Sequence, residues 1–122
     1  MPRFTDQNGN DWIVELNVAG VKDIRTRLDV NLMDVLDDKA ALLQRLYADV
    51  VLLADCLWVL CEKQCDERGL SQHDFGSLLA SVTLFNAATA FFEALTDFFP
   101  NPQLHKQLGT LIAKANQTTN LM

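Results

Sequence analysis

Positive charge is scarce in this chain. Ten Lys plus Arg stand against sixteen Asp plus Glu, a formal net charge of -6. The densest basic group, Lys22, Arg25 and Arg27, is interleaved with Asp23 and Asp29. Proteins that bind nucleic acid displace counterions with clustered cations, so the composition argues against nucleic acid and anionic membrane as direct partners. Histidine is nearly missing: His73 and His105 are the only two, a thin supply for acid–base or nucleophilic catalysis. The five glycines, Gly9, Gly20, Gly69, Gly76 and Gly109, are isolated, so nothing resembles a phosphate-cradling loop. Ser77 and Ser81 have no nucleophile-elbow glycines beside them. The expectation is a non-enzymatic protein without a cofactor or an evident small-molecule substrate.

Cysteine is also rare. Cys56, Cys61 and Cys65 are an odd set within one expected helix. Cys61 and Cys65, four apart, share a helical face with nearly parallel side chains, a poor disulfide geometry. Reduced thiols fit a reducing compartment. A metal would have to draw on Cys61, Cys65 and His73, without the paired ligands of structural zinc sites; ordinary buried thiols, acting as small hydrophobes, are the plainer reading. Long apolar runs are lacking too. The strongest, Val50 to Cys61, contains Asp55 and is too short to span a bilayer, and Met1 to Asp6 has no apolar signal region. A cytoplasmic protein is expected.

What remains is globular. The 122 residues, 49% apolar and 21% charged, suit one domain with a real core. Near residue 17 the pattern changes. Before it, Asn8-Gly9 is a hairpin turn signal. Phe4 stands on one side of that turn, and Trp12, Val14 and Leu16 alternate on the other. After it the periodicity is helical. Asn17 caps a helix carrying Val18, Val21, Ile24 and Leu28 that ends near Asp29. Residues 30–36 read as a loop becoming one or two helical turns. Asp37 or Asp38 opens a helix from Lys39 to Tyr47, with Leu42, Leu43 and Leu46 inward. Asp49 caps the most apolar helix, Val50 to about Arg68; apolar residues on nearly all sides mark it as central, and Gly69 follows it. Ser71 with Asp74 caps a helix from Gln72 to about Phe99, divisible at Thr83 or Asn86. Pro100-Asn101-Pro102 stops it. A last helix, to about Asn116, carries Leu104, Leu108, Leu111 and Ile112. The predicted fold is mainly α: one domain over residues 1–122, with a β-hairpin (1–17) packed on a bundle of four to five helices (18–116) and a frayed tail (117–122).

Two features invite a functional reading. Asp55 inside the apolar helix either serves as a buried acid or lies on a polar edge, paired with Arg25, Arg27 or Arg45; the second costs less. Phe75, Phe85, Phe91, Phe92, Phe98 and Phe99 crowd into 25 residues. Phe85, Phe92 and Phe99 recur every seven, near one helical face. This stripe is either core or a surface covered by a partner or a second copy. Trp12, with the hairpin's strand edges, and Phe85, Phe92 and Phe99 are the candidate partner-binding residues.

The order of hairpin, helix, short connection and acid-capped apolar helix resembles the small tail assembly chaperones of long-tailed bacteriophages and uncharacterised proteins of tail-like gene clusters. Phe4-Thr5-Asp6, Gly9 and Trp12 carry the likeness, with Arg27-Leu28, Val30-Asn31-Leu32 and Asp49-Val50-Val51-Leu52-Leu53-Ala54-Asp55, then Leu57, Val59 and Leu60: roughly residues 4–62. Phe98-Phe99-Pro100 also fits. The resemblance implies non-enzymatic work, binding tape-measure or tail-tube proteins during assembly, often as an oligomer. The aromatic second half and the three cysteines depart from it. The alternatives are a homo-oligomeric adaptor or regulator unrelated to phage, and a metal-dependent sensor using Cys61, Cys65 and His73.

Overall fold

The computed structural model describes residues 2–36, 41–99, 106, 108–110 and 112–113. The chain is mainly α with an N-terminal antiparallel hairpin, β1 (Arg3–Thr5) and β2 (Asp11–Ile13). Five α-helices follow: α1 (Val18–Leu28), α2 (Ala41–Ala48), α3 (Val50–Arg68), α4 (Gln72–Leu78) and α5 (Ser81–Phe98), with a 3-10 turn over Leu32–Leu36 between α1 and α2. Helical backbone recurs at residues 106, 108–110 and 112–113. The expected caps at Asp37 or Asp38, the Pro100-Asn101-Pro102 stop and the tail lie outside the described residues. No single described helix is long and apolar enough to cross a membrane; α4 and α5 qualify only when joined, and they meet at a 105° bend.

The strands are shorter than the alternation of Trp12, Val14 and Leu16 suggests, and the turn is neither the two-residue form that Asn8-Gly9 signals nor the loop of four or more residues that the surrounding polar residues suggest. The Gly9 amide donates to the Asp6 carbonyl (3.0 Å), and the Asp6 amide to the Asn10 carbonyl (2.9 Å). Only Gly9, at φ 82, is left-handed. This is a three-residue loop, a turn closed by a left-handed glycine. The Asp6 side chain decides it: one carboxylate oxygen accepts from the Asn8 and Asn10 amides (2.8 and 3.0 Å), and the other from the Trp12 indole (2.9 Å). Phe4 pairs with Trp12 in register, their rings stacked at 6.3 Å.

Local signals set most helix ends. The Asn17 side chain accepts from the Gly20 amide, and α1 ends at left-handed Asp29. Asp49 accepts from the Val51 and Leu52 amides to start α3, and Gly69, left-handed, ends it. Ser71 and Asp74 form a complete capping box. Gly20 brings α1 close to α3: a Cβ there would lie 2.9 Å from Leu60 Cδ2.

The break after α4 falls at Leu79–Ala80, not at Thr83 or Asn86. Ser81 turns left-handed (φ 51), and α5 starts without a side-chain cap. Tertiary packing imposes the bend. Phe75 anchors α4 against Trp12 and Trp58, while Phe91, Phe92 and Leu95 seat α5 in the core. A straight helix could not satisfy both.

The core gathers Trp12, Val14, Ile24, Leu43, Leu46, Leu53, Leu57, Phe75, Phe91 and Leu95, with α3 packed against α1, α2, α4, α5 and β2. Val50, which shares a helical face with Leu53, Leu57 and Cys61, is half-exposed, while those three are buried. Asp55 is half-buried. Of its candidate partners, Arg27 pairs instead with Glu62, through two contacts of 3.2 and 2.9 Å.

Asp6 is 5% exposed. Burial pushes its carboxyl up, but hydrogen bonds from Trp12, Asn10 and Asn8, helped by Arg68, outweigh it and hold the group below its usual value. Asp6→Ala leaves an indole N–H and two amides unpaired and is expected to cost about 2–3 kcal/mol. Because the folded value is depressed, this stabilisation is complete above about pH 4 and fades as pH falls through the native value. Urea denaturation of both proteins from pH 7 to pH 3 should show the gap narrowing on the acid side; a gap independent of pH would contradict it.

Candidate docking surface on helix α5

The hairpin is closed to partners on one edge. Pairing of Val14 with Pro2 and of Asp6 with Asn10 turns the backbone groups of Asp11 and Ile13 outward. Gln64 on α3 meets them: its Nε2 donates to the Ile13 carbonyl (2.8 Å) and its Oε1 accepts from the Ile13 amide (2.9 Å). Arg68 donates to the Asp11 carbonyl (2.6 Å). A side-chain amide thus stands where a third strand would. Arg68 also lies over the Trp12 ring at 4.1 Å, a cation–π contact.

Trp12, expected as a contact residue, is only 1% exposed. Phe4, Phe75, Arg68 and Asp6 surround it, so a partner could reach it only by opening the core. The phenylalanine stripe divides. Phe92 and Phe99 are buried, as are Phe75 and Phe91, and Phe98 is partly covered. Phe85 is 71% exposed, and Val82, one turn earlier, matches it. The seven-residue spacing aligns these rings, but α5 enters the core progressively. Phe92 reaches α2 and stacks on Tyr47 at 4.3 Å, 12° from parallel; Phe85, two turns earlier, has nothing over it.

From Phe85 a groove of about 680 Å³ runs along α5. Phe85, Ala88, Thr89, Phe92, Glu93, Thr96 and Asp97 line it from α5, Tyr47 from α2, and Gly109 and Ile112 complete the lining. Its lining is chemically quiet. Thr89 Oγ1 donates to the Phe85 carbonyl (3.0 Å) and Thr96 Oγ1 to the Phe92 carbonyl (2.9 Å). Both hydroxyls are spent on their own helix, which turns two polar residues into apolar wall. Burial raises the Tyr47 phenol above its ordinary value, so it stays neutral. Polar character concentrates at Glu93 and Asp97, near the far end from Phe85.

This chain matches no family model, curated protein or solved structure.

The other candidates do not assemble. Cys61 and Cys65 are buried in the core, and His73 is exposed on α4. Among the described residues no three His, Cys, Asp or Glu side chains come together as a metal-binding group. Burial pushes the thiols of Cys56 and Cys61 to about 12 and that of Cys65 to about 11, so they stay protonated near neutral pH and are poor nucleophiles. The Cys61 thiol instead approaches the Ile13 carbonyl at 3.8 Å, beneath the hairpin. The Ser77 hydroxyl donates to the His73 carbonyl. His105 lies outside the described residues.

Sequence reasoning reached Phe85 and Phe92 but missed Tyr47, Thr89, Glu93, Thr96, Gly109 and Ile112. A helical projection of α5 places Phe85, Ala88, Phe92 and Thr96 on one stripe. No comparable signal reveals Tyr47 or Ile112, which arrive from other elements.

Native protein at pH 8 is expected to give no fast reaction with Ellman's reagent, against three thiols after denaturation. A thiol that reacts in the native state within seconds would contradict the burial described.

Proposed function

We propose that this chain is a non-enzymatic docking protein for assembly or scaffolding, which binds a protein partner through the α5 groove. The observation that carries this reading is an exposed phenylalanine at the mouth of an apolar groove whose threonine hydroxyls are already satisfied. Monomeric surfaces rarely leave large aromatic side chains beside a concave apolar strip unless something covers them. A catalytic pocket needs convergent polar or titratable groups; this lining is mainly apolar, with Glu93 and Asp97 toward one end. Gln64 and Arg68 occupy the outer edge of β2, which favours α5 over that edge as the binding surface. In its specific form the proposal is a tail-assembly chaperone-like protein acting in a reducing compartment and covering apolar surface of a tape-measure or tail-tube protein. The order of hairpin and acid-capped central helix supports that form.

The test begins with the neighbouring genes. If they encode tail-tube and tape-measure proteins, co-expression should yield a complex, and Phe85→Asp should abolish it. Phe85 is exposed, so this substitution is expected to change stability by less than about 0.5 kcal/mol, checked by thermal denaturation. Failure of the wild-type chain to bind those products, or full retention of binding by Phe85→Asp, would overturn the assignment.

A further inference from the structure

We infer that the groove takes a cationic amphipathic helix of about three turns. This rests on reading the groove as a docking surface. Phe85 to Asp97 follows α5 for about 18 Å at the rise of an α-helix, the span over which a helix presents anchors at i, i+4, i+7 and i+11. The Thr89 and Thr96 hydroxyl protons are spent on their own helix, which leaves the Tyr47 phenol and the carboxylates as the wall's other polar groups. A helix, whose backbone bonds are internal, loses nothing there. Ala88 and Gly109 are among the lining residues, and small residues let helix backbones approach closely.

Charge selects among helices. The Glu93 carboxylate lines the groove, and among the described residues no basic side chain does. Glu93 makes no ion pair among the described residues and is exposed. The chain as a whole carries -6, so an acidic helix would be repelled at long range as well as at the rim. The two ends of the groove are also unlike. Phe85 lies about 12 Å from Glu93 by helix rise. An occupant matching both would place a bulky apolar residue and a Lys or Arg seven or eight positions apart, on one face.

Two synthetic 18-residue helices decide this. They share one leucine stripe, and the remaining positions are lysine in the first and glutamate in the second. Fluorescence anisotropy in 150 mM salt is expected to show the leucine–lysine peptide binding at least tenfold more tightly. Glu93→Lys should remove most of that difference. Glu67→Lys, the same charge change at the exposed end of α3, should leave it intact. Phe85→Asp should abolish binding of both peptides. That last result separates docking from general attraction, because added negative charge would strengthen non-specific binding of a cation. Equal affinity for both peptides would overturn the cationic selection while leaving the docking surface standing. Peptide binding that survives Phe85→Asp would overturn the groove itself. If neither peptide binds and the wild-type chain sediments as a dimer that Phe85→Asp splits, the occupant is a second copy and this inference fails. If neither peptide binds and the chain is a monomer, both readings fail.

Discussion

A buried indole N–H must have an acceptor, and in this chain the arrangement of the N-terminus depends on one carboxylate that supplies it. Asp6 accepts from Trp12 and, through its other oxygen, from two loop amides. One side chain therefore fixes the turn, the register and the depth of the ring. The register then stacks Phe4 on Trp12 and turns the outer backbone groups of β2 toward Gln64 and Arg68. Trp12 in turn gives Phe75 an edge to pack on at 5.2 Å, which anchors α4 and makes the following bend necessary. The path from Asp6 to the orientation of α5 is a short series of direct contacts.

The same series explains why the ribbon is stable and why the outer edge of β2 is already occupied. A two-stranded ribbon alone is marginal, and an open edge invites strand addition. The Gln64 amide meets the Ile13 amide and carbonyl as a neighbouring strand would, without exposing a further edge of its own. The hairpin thereby becomes part of the body, and exposed aromatic surface is left to α5, where the bend carries Val82 and Phe85 clear of the core.

What the sequence reveals follows the range of the interaction involved. The caps at Asn17, Asp49 and Ser71–Asp74 and the glycine stop at Gly69 are contacts between residues a few positions apart, and all are legible. So are the hairpin and the central position of α3, which rest on periodicity. The break at Leu79–Ala80 carries no cap, glycine or proline, and it exists because Phe75 and Phe91 are held by different neighbours. The stripe of Phe85, Phe92 and Phe99 is legible as a stripe, but its depth is not. Whether a ring on that face is covered depends on Tyr47, some forty residues earlier in the chain. Trp12 shows the converse: on an apolar strand face it looked available, and only the long-range contacts of Phe75 and Arg68 reveal that it is enclosed.

The groove is also more apolar than its composition. Thr89 and Thr96 count as polar residues, yet each returns its hydroxyl proton to a carbonyl four positions earlier. Such back-bonding costs a helix little and withdraws those two donors from a competing solute. Affinity at a surface of this kind comes from apolar burial and from the fit of a few anchors, while charged groups at the rim act mainly on orientation and association rate. The division falls along α5 itself. On the docking reading proposed above, Phe85 is the exposed anchor and Glu93, eight positions on, is the discriminating charge.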